Sequence, residues 1–262
     1  MEEKIIPFIE KHGLLAVGDR VMVAVSGGPD SLALLHFLVQ NRKRWQLDIL
    51  AVHLNHQFRG KEADEDEQVV GELCQKWGIP YISKRMDVAG FAKTHKLGKQ
   101  VAARECRYQF FEEVAKREGY AKVALGHHAD DQIETVLMRL VRGSGLAGLC
   151  GIPIVRETAS YTVIRPLLPV SKAEIEAYCQ RHHLEPRRDV SNDSDEYTRN
   201  YVRHHLLPHL VHLNPNIHQV ISDMTATLQE ENEYIEKETR KFLKEVIEEE
   251  RKEALTISLS SF

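Results

Sequence analysis

The 262-residue sequence has no apolar run of about 18 residues, which excludes a membrane-spanning helix. It is also poor in cysteine. Cys74, Cys106, Cys150 and Cys179 stand far apart, so neither a secreted-type disulfide framework nor a C-x-x-C metal or redox pair is available. The start, MEEKIIPFIEKHG, has acidic residues where a signal peptide carries basic ones, and its apolar stretch is too short for one. An excess of basic charge is missing as well. There are 35 Lys and Arg against 39 Asp and Glu, a net charge of −4, and the isoelectric point is near 6.4. A nucleic-acid-binding domain typically lies above about 9. No internal repeat or low-complexity tract is present. Together these absences predict a soluble, reduced, cytoplasmic protein that makes no use of a membrane.

The remaining sequence alternates short β-rich runs with helical patterns. Val21–Val25, Ile49–Leu54, Pro80–Ile82 and Lys122–Leu125 have the near-continuous apolar character of strands covered on both faces. Between them lie predicted helices at 30–41, 62–77, 101–118 and 130–142. Such alternation predicts an α/β fold: a doubly wound, mostly parallel sheet with helices on both faces, followed by a helical extension. Ser171, with Glu174 three residues on, predicts a capped helix over Lys172–Arg181. From about Asn216 to Glu253 the pattern is one long charged helix, broken at most once and suited to a solvated connector. Residues 229–253 hold ten acidic and six basic side chains, leaving 29 of each elsewhere, so the net charge resides in this segment. Ala254–Leu259 is strand-like with nothing after it to pair with, which suggests a cut in a longer protein.

Two motifs carry chemistry. Ser26-Gly27-Gly28-Pro29-Asp30-Ser31 follows the first strand and opens a helix. Its glycines let backbone approach a ligand closely. The helix start offers free N–H groups and a positive dipole end suited to phosphate. Ser26 and Ser31 add hydroxyls, and Asp30 is a candidate ligand for a phosphate-bridging magnesium ion. A Walker A loop, G-x-x-x-x-G-K-[ST], is absent.

The second motif, Gly126-His127-His128-Ala129-Asp130-Asp131-Gln132-Ile133-Glu134, begins at the carboxyl end of the fourth predicted strand, where open α/β sheets bind ligands. In the helix that follows, Ile133, Val136, Leu137, Leu140 and Val141 predict the buried stripe. At ~100° per residue, Asp131 and Glu134 then fall about 160° and 100° from Ile133, on the flank outside that stripe. Such a carboxylate pair can bind magnesium, hold an ammonium or take a proton from an amine. Gly143–Gly148 matches G-x-G-x-x-G, but it follows a helix instead of a strand. Gly143 is better taken as a helix C-cap, and a dinucleotide site is rejected.

The S-G-G-x-D-S string resembles the PP-loop family of ATP pyrophosphatases, which split ATP to AMP and pyrophosphate. Longer strings resemble the lysidine-forming tRNA(Ile) ligase branch of that family. These are Gly126–Leu149, Val52–His56 with Arg59 and Glu62-Ala63-Asp64, Ala102–Tyr108, Arg165–Leu168, Asp189–Asn192 and Tyr197–Arg203. They run in order over roughly residues 18–210.

The resemblance implies that L-lysine is joined to C2 of the wobble cytidine of CAU-anticodon tRNA(Ile). ATP is the co-substrate, the intermediate is an adenylated tRNA, and AMP and pyrophosphate are released. Ser26–Ser31 would hold ATP, Asp30 would hold Mg2+, and His53 would lie near the nucleotide. His127, Asp131 and Glu134 would be catalytic, with Asp131, Glu134 and Arg107 holding lysine. Arg199 and Arg203 would reach phosphate or tRNA. The catalytic PP-loop domain would span 1–212, with 213–262 a linker helix and the start of a truncated tRNA-binding region. A homodimer is compatible with the likeness. Two other readings of the same residues remain: a cytidine-thiolating tRNA enzyme, whose C-x-x-C cluster ligands are lacking here, and a non-catalytic ATP- or AMP-binding module.

Overall fold

A computed structural model describes residues 1–58, 60–187, 198–251 and 254–257. Arg59 and the Asp189–Asn192 string, both part of the resemblance, lie outside the described residues. The chain runs α1 (Glu2–Lys11), β1 (Arg20–Ala24), α2 (Pro29–Gln40), β2 (Asp48–Asn55), α3 (Lys61–Trp77), β3 (Tyr81–Arg85), α4 (Val88–His95), α5 (Lys99–Glu118) and β4 (Lys122–Ala124). After these come α6 (Ala129–Arg142), α7 (Leu146–Leu149), β5 (Val155–Glu157), β6 (Thr162–Ile164) and α8 (Lys172–Arg181).

Six strands form one sheet in the order β3-β2-β1-β4-β6-β5, parallel except for β5 at the edge. The apolar runs are continuous because alternate residues serve two cores. Val21, Val23, Ile49 and Ala51 pack on the side of α1, α2 and α8. Met22, Leu50, Val52 and Val123 face α5 with its Phe110 and Phe111. In α2, every residue from Ser31 to Leu38 is buried. The order of the strands reverses at β1, so a crevice opens between the carboxyl ends of β1 and β4.

Predicted and observed elements differ in three places. The short strands β5 and β6 and helices α1 and α4 were not anticipated. In α6, the stripe ends early, since Leu140 and Val141 are exposed while Glu134 is fully buried. The long helix α11 (Ile217–Val246) does not reach Glu253. Ile247–Arg251 form β7, which pairs antiparallel with β8 (Ala254–Ile257), so the strand-like piece has a partner. The first half of α11 is also docked rather than free. Gln132 Nε2 donates to Thr225 Oγ1 at 3.1 Å, and Gln229 Nε2 donates to the Cys150 carbonyl at 2.7 Å.

Candidate active site

The loop after β1 is closed on itself by its serines. Ser26 N–H donates to Ser31 Oγ at 3.0 Å, and Ser31 Oγ donates to the Gly28 carbonyl at 3.0 Å. Gly27 has φ +91°, a conformation that side chains disfavour. Gly28 caps α2, and Pro29 occupies its first turn, where no N–H is needed. A second glycine sets the width of the crevice. A Cβ on Gly126 would lie 3.1–3.2 Å from the Asp30 and Ser31 backbone, so any other residue would push the end of β4 and the start of α2 apart by a few tenths of an ångström.

A cleft of about 380 Å3 opens there, lined by Ser26, Asp30, Ser31, His53, Arg107 and His127 among others. His53 Nδ1–H donates to the Val25 carbonyl at 2.7 Å, leaving Nε2 as an acceptor. Burial lowers its pKa more than that bond raises it. His127 Nδ1 accepts from Arg165 Nε at 3.3 Å, which places the imidazole proton on Nε2. Burial, helped by Arg165, Arg199 and Arg107 against the pull of Asp131, brings its pKa down to about 4. His127 is therefore a neutral hydrogen-bond donor at neutral pH. Arg107 opens into the cleft, and desolvation by the surrounding protein lowers its pKa.

Asp131 and Glu134 stand outside the cleft wall, and Glu134 is not on an exposed flank. Its buried carboxylate accepts from Arg199 Nε at 2.7 Å and from Arg203 Nε at 2.6 Å. Asp131 Oδ1 accepts from Arg199 Nη2 at 3.2 Å. The stripe assignment failed here because a carboxylate can occupy a core-facing position once cations reach it. Arg199 belongs to α9 (Thr198–Tyr201) and Arg203 to a π-helical turn, Val202–Leu206, which runs on into α10 (Leu207–Leu213). The extra backbone residue of a π turn shifts side-chain phase, and here both arginines meet one carboxylate. The structure thus joins two pairs of residues that the sequence assigned to separate tasks.

Between the cleft and this pair sits His128, almost fully buried and not anticipated from sequence. Its Nε2 lies 3.8 Å from Asp30 and 3.5 Å from Asp131, and its Nδ1 lies 3.5 Å from Asp130. Burial favours the neutral ring, but these carboxylates outweigh it and raise the pKa. The His128 backbone N–H donates to Asp131 Oδ2 at 3.0 Å, a cap that places Asp131 at the start of α6. Asp130 accepts the Lys172 amide at 2.7 Å and faces His218 Nε2 at 3.2 Å. Burial opposes its ionisation, yet His128, His218 and the amide hold its pKa well below the usual carboxylate range.

Lys172, the first residue of α8, binds Asp30 Oδ1 through Nζ at 2.6 Å. The Ser171 cap hinted at this helix start. Nothing local signalled a contact spanning 142 residues.

Magnesium usually binds through one or two carboxylates together with substrate phosphates, without an all-protein cage. Asp30, on the cleft wall beside two serine hydroxyls, fits that mode. Among the described residues no group of three metal-ligating side chains converges.

Known proteins resemble this chain in sequence and in fold. A family model for the PP-loop domain matches residues 1–210. The tRNA(Ile)-lysidine synthase of Geobacillus kaustophilus is 44% identical over 262 residues, which is 100% of this chain and 56% of that protein. The one from Clostridioides difficile is 40% identical over 261 residues, 99% of this chain and 56% of that protein. The chain spans about half the length of the curated relatives it matches. Among solved structures, the U34-tRNA thiolase NcsA from Methanococcus maripaludis aligns with a TM-score of 0.71 at 20% identity. The alignment covers 87% of this chain and 80% of that one, a likeness of fold. With the glycine–serine loop at the β1–β4 crevice and a family match over four-fifths of its length, the chain belongs to the PP-loop domain family.

Proposed function

We propose that this chain carries the chemical centre for joining L-lysine to C2 of the wobble cytidine of CAU-anticodon tRNA(Ile), with ATP consumed to AMP and pyrophosphate. The observation that supports this reading is the Ser26–Ser31 loop at the crevice, with the Asp131 and Glu134 carboxylates behind it across His128, in a chain at least 40% identical to proteins named for that activity.

In the first step the cytidine C2 oxygen attacks the α-phosphorus of ATP and pyrophosphate leaves. Ser26–Ser31 and the start of α2 hold the phosphates through N–H and hydroxyl donors. His127 donates from Nε2 to an anionic oxygen, and Arg107 adds positive charge from the cleft wall. His53 offers Nε2 to an N–H donor of the nucleotide. Asp30 would hold magnesium, which supplies charge neutralisation on the phosphates.

In the second step the ε-amine of lysine attacks C2. The C2–O bond breaks, and AMP leaves with the former cytidine oxygen. A lysine amine has a pKa of ~10.4, so a proton must be removed before attack. In this reading Asp131 and Glu134 receive the ammonium, and both now carry arginine. Lysine entry therefore requires Arg199 or Arg203 to give way.

The thiolation alternative is less well supported, because all four cysteines are separately buried, with thiol pKa values raised by burial at Cys74 and Cys179. Labelled lysine incubated with ATP, the chain and CAU-anticodon tRNA(Ile) should enter the tRNA. Incorporation that is absent, or independent of ATP, would refute the assignment.

A further inference from the structure

The chain is acidic overall, and the two arginines that the sequence assigned to tRNA are engaged with Asp131 and Glu134. A different set of arginines is left with no carboxylate partner among the described residues: Arg104, Arg107, Arg156 and Arg165. They are clustered. Arg104 and Arg156 place their guanidinium carbons 4.9 and 4.3 Å from the centre of the Tyr108 ring. These residues line a groove of about 550 Å3 between α5 and the β5–β6 hairpin. Arg156 Nε is buried without a hydrogen-bond acceptor.

The groove and the cleft share no lining residue, but α5 borders both. Arg107 precedes Tyr108 on α5 and lines the cleft, while Arg165, at the end of β6, contacts His127. Burial, the neighbouring Arg156 and the neighbouring Arg104 all lower the pKa of Arg165, to about 10, against the raising effect of Tyr108. Two carboxylates, Glu105 and Glu112, also line the groove, but Glu112 is paired with Lys116 at 2.6 Å.

Four guanidinium groups, Arg104, Arg107, Arg156 and Arg165, outnumber the two carboxylates at the groove, and Glu112 is already paired with Lys116, so a positive excess remains for an anion. Guanidinium planes held on a ring suit phosphates and stacked bases. We propose that the Arg104–Tyr108–Arg156 groove holds the unpaired RNA strand flanking the base that enters the cleft. This rests on the reading of an RNA substrate. The strand would lie with phosphates against Arg104 and Arg156, so the interaction is independent of base sequence.

The test is anisotropy of a labelled stem-loop RNA carrying CAU in its loop, titrated with the full chain at several KCl concentrations. R104A/R156A should bind roughly tenfold or more weakly. Its salt slope should fall by about 1.4, at ~0.7 for each single-strand phosphate no longer neutralised. R104A alone, at an exposed position, should give about half the change in slope. ATP affinity by calorimetry should stay unchanged, which shows that the cleft is folded. R42E/K43E, in the turn before β2 at the amino ends of the strands, should bind RNA nearly as the unaltered chain does. Unchanged affinity and slope in R104A/R156A would overturn the groove while leaving the RNA substrate standing. An equal loss in R42E/K43E would overturn it too. Failure of the unaltered chain to bind the stem-loop, even at low salt, would overturn both.

Discussion

Removing the charge of Glu134 should disturb stability and lysine use in separable ways. Its carboxylate is fully buried and accepts three hydrogen bonds, one from Arg199 at 2.7 Å and two from Arg203 at 2.6 and 3.1 Å. Stripping one partner from a fully buried ion pair costs about 3–5 kcal/mol. Arg199 and Arg203 retain 39% and 33% side-chain exposure, so both can turn to water once released. The expected loss for E134Q is therefore nearer about 1.5–2.5 kcal/mol, half of the buried-pair value. R203Q leaves Glu134 its bond to Arg199 and should cost about 1–2 kcal/mol. Urea unfolding of both single variants and the double variant gives the coupling, expected at about 1–2 kcal/mol.

Lysine titrations supply the other arm. E134Q should raise the lysine requirement roughly 10- to 150-fold, the equivalent of one charge-assisted hydrogen bond of about 1.5–3 kcal/mol. R203Q should lower it, because a competing cation has gone. Coupling below about 0.3 kcal/mol, or equal shifts of the lysine requirement in one direction, would refute the reasoning.

Two glycines should respond differently to alanine. Gly126→Ala sets a Cβ 3.1–3.2 Å from the backbone of Asp30 and Ser31, so it should displace the start of α2, cost about 1–3 kcal/mol and weaken ATP binding in calorimetry. Gly27→Ala meets nothing nearer than 3.7 Å and should cost about 1–2 kcal/mol through its positive φ alone. Asp130→Asn should alter acid stability. A carboxylate whose native pKa is depressed stabilises the fold above its unfolded value of 3.8 and loses that contribution as pH falls. The variant should thus be about 1–3 kcal/mol less stable at pH 7, with the gap closing in urea titrations below about pH 4.

The sheet was legible because both faces of β1, β2 and β4 are buried, which writes an unbroken apolar run into each. The three-residue strands β5 and β6 are too short to show a period. The Glu-rich stretch after Val246 has helical composition, but its pairing with β8 prevails. Loop and motif residues at the site were legible because glycine, serine and carboxylates were adjacent in sequence. Long-range pairing was not. Glu134 looked solvent-facing because its partners lie 65 and 69 residues away. His128 was overshadowed by His127 beside it, though it is the ring that touches three aspartates. Lys172 looked like an ordinary first-turn residue of α8.

Adenylation of the target cytidine's C2 oxygen in this cleft is the step we propose. It is tested most directly by placing 18O at that oxygen and recovering the AMP formed in the presence of ATP, lysine and the chain. One 18O in the AMP phosphate for each lysine incorporated is the predicted result. AMP without the label, alongside lysine incorporation, would contradict it.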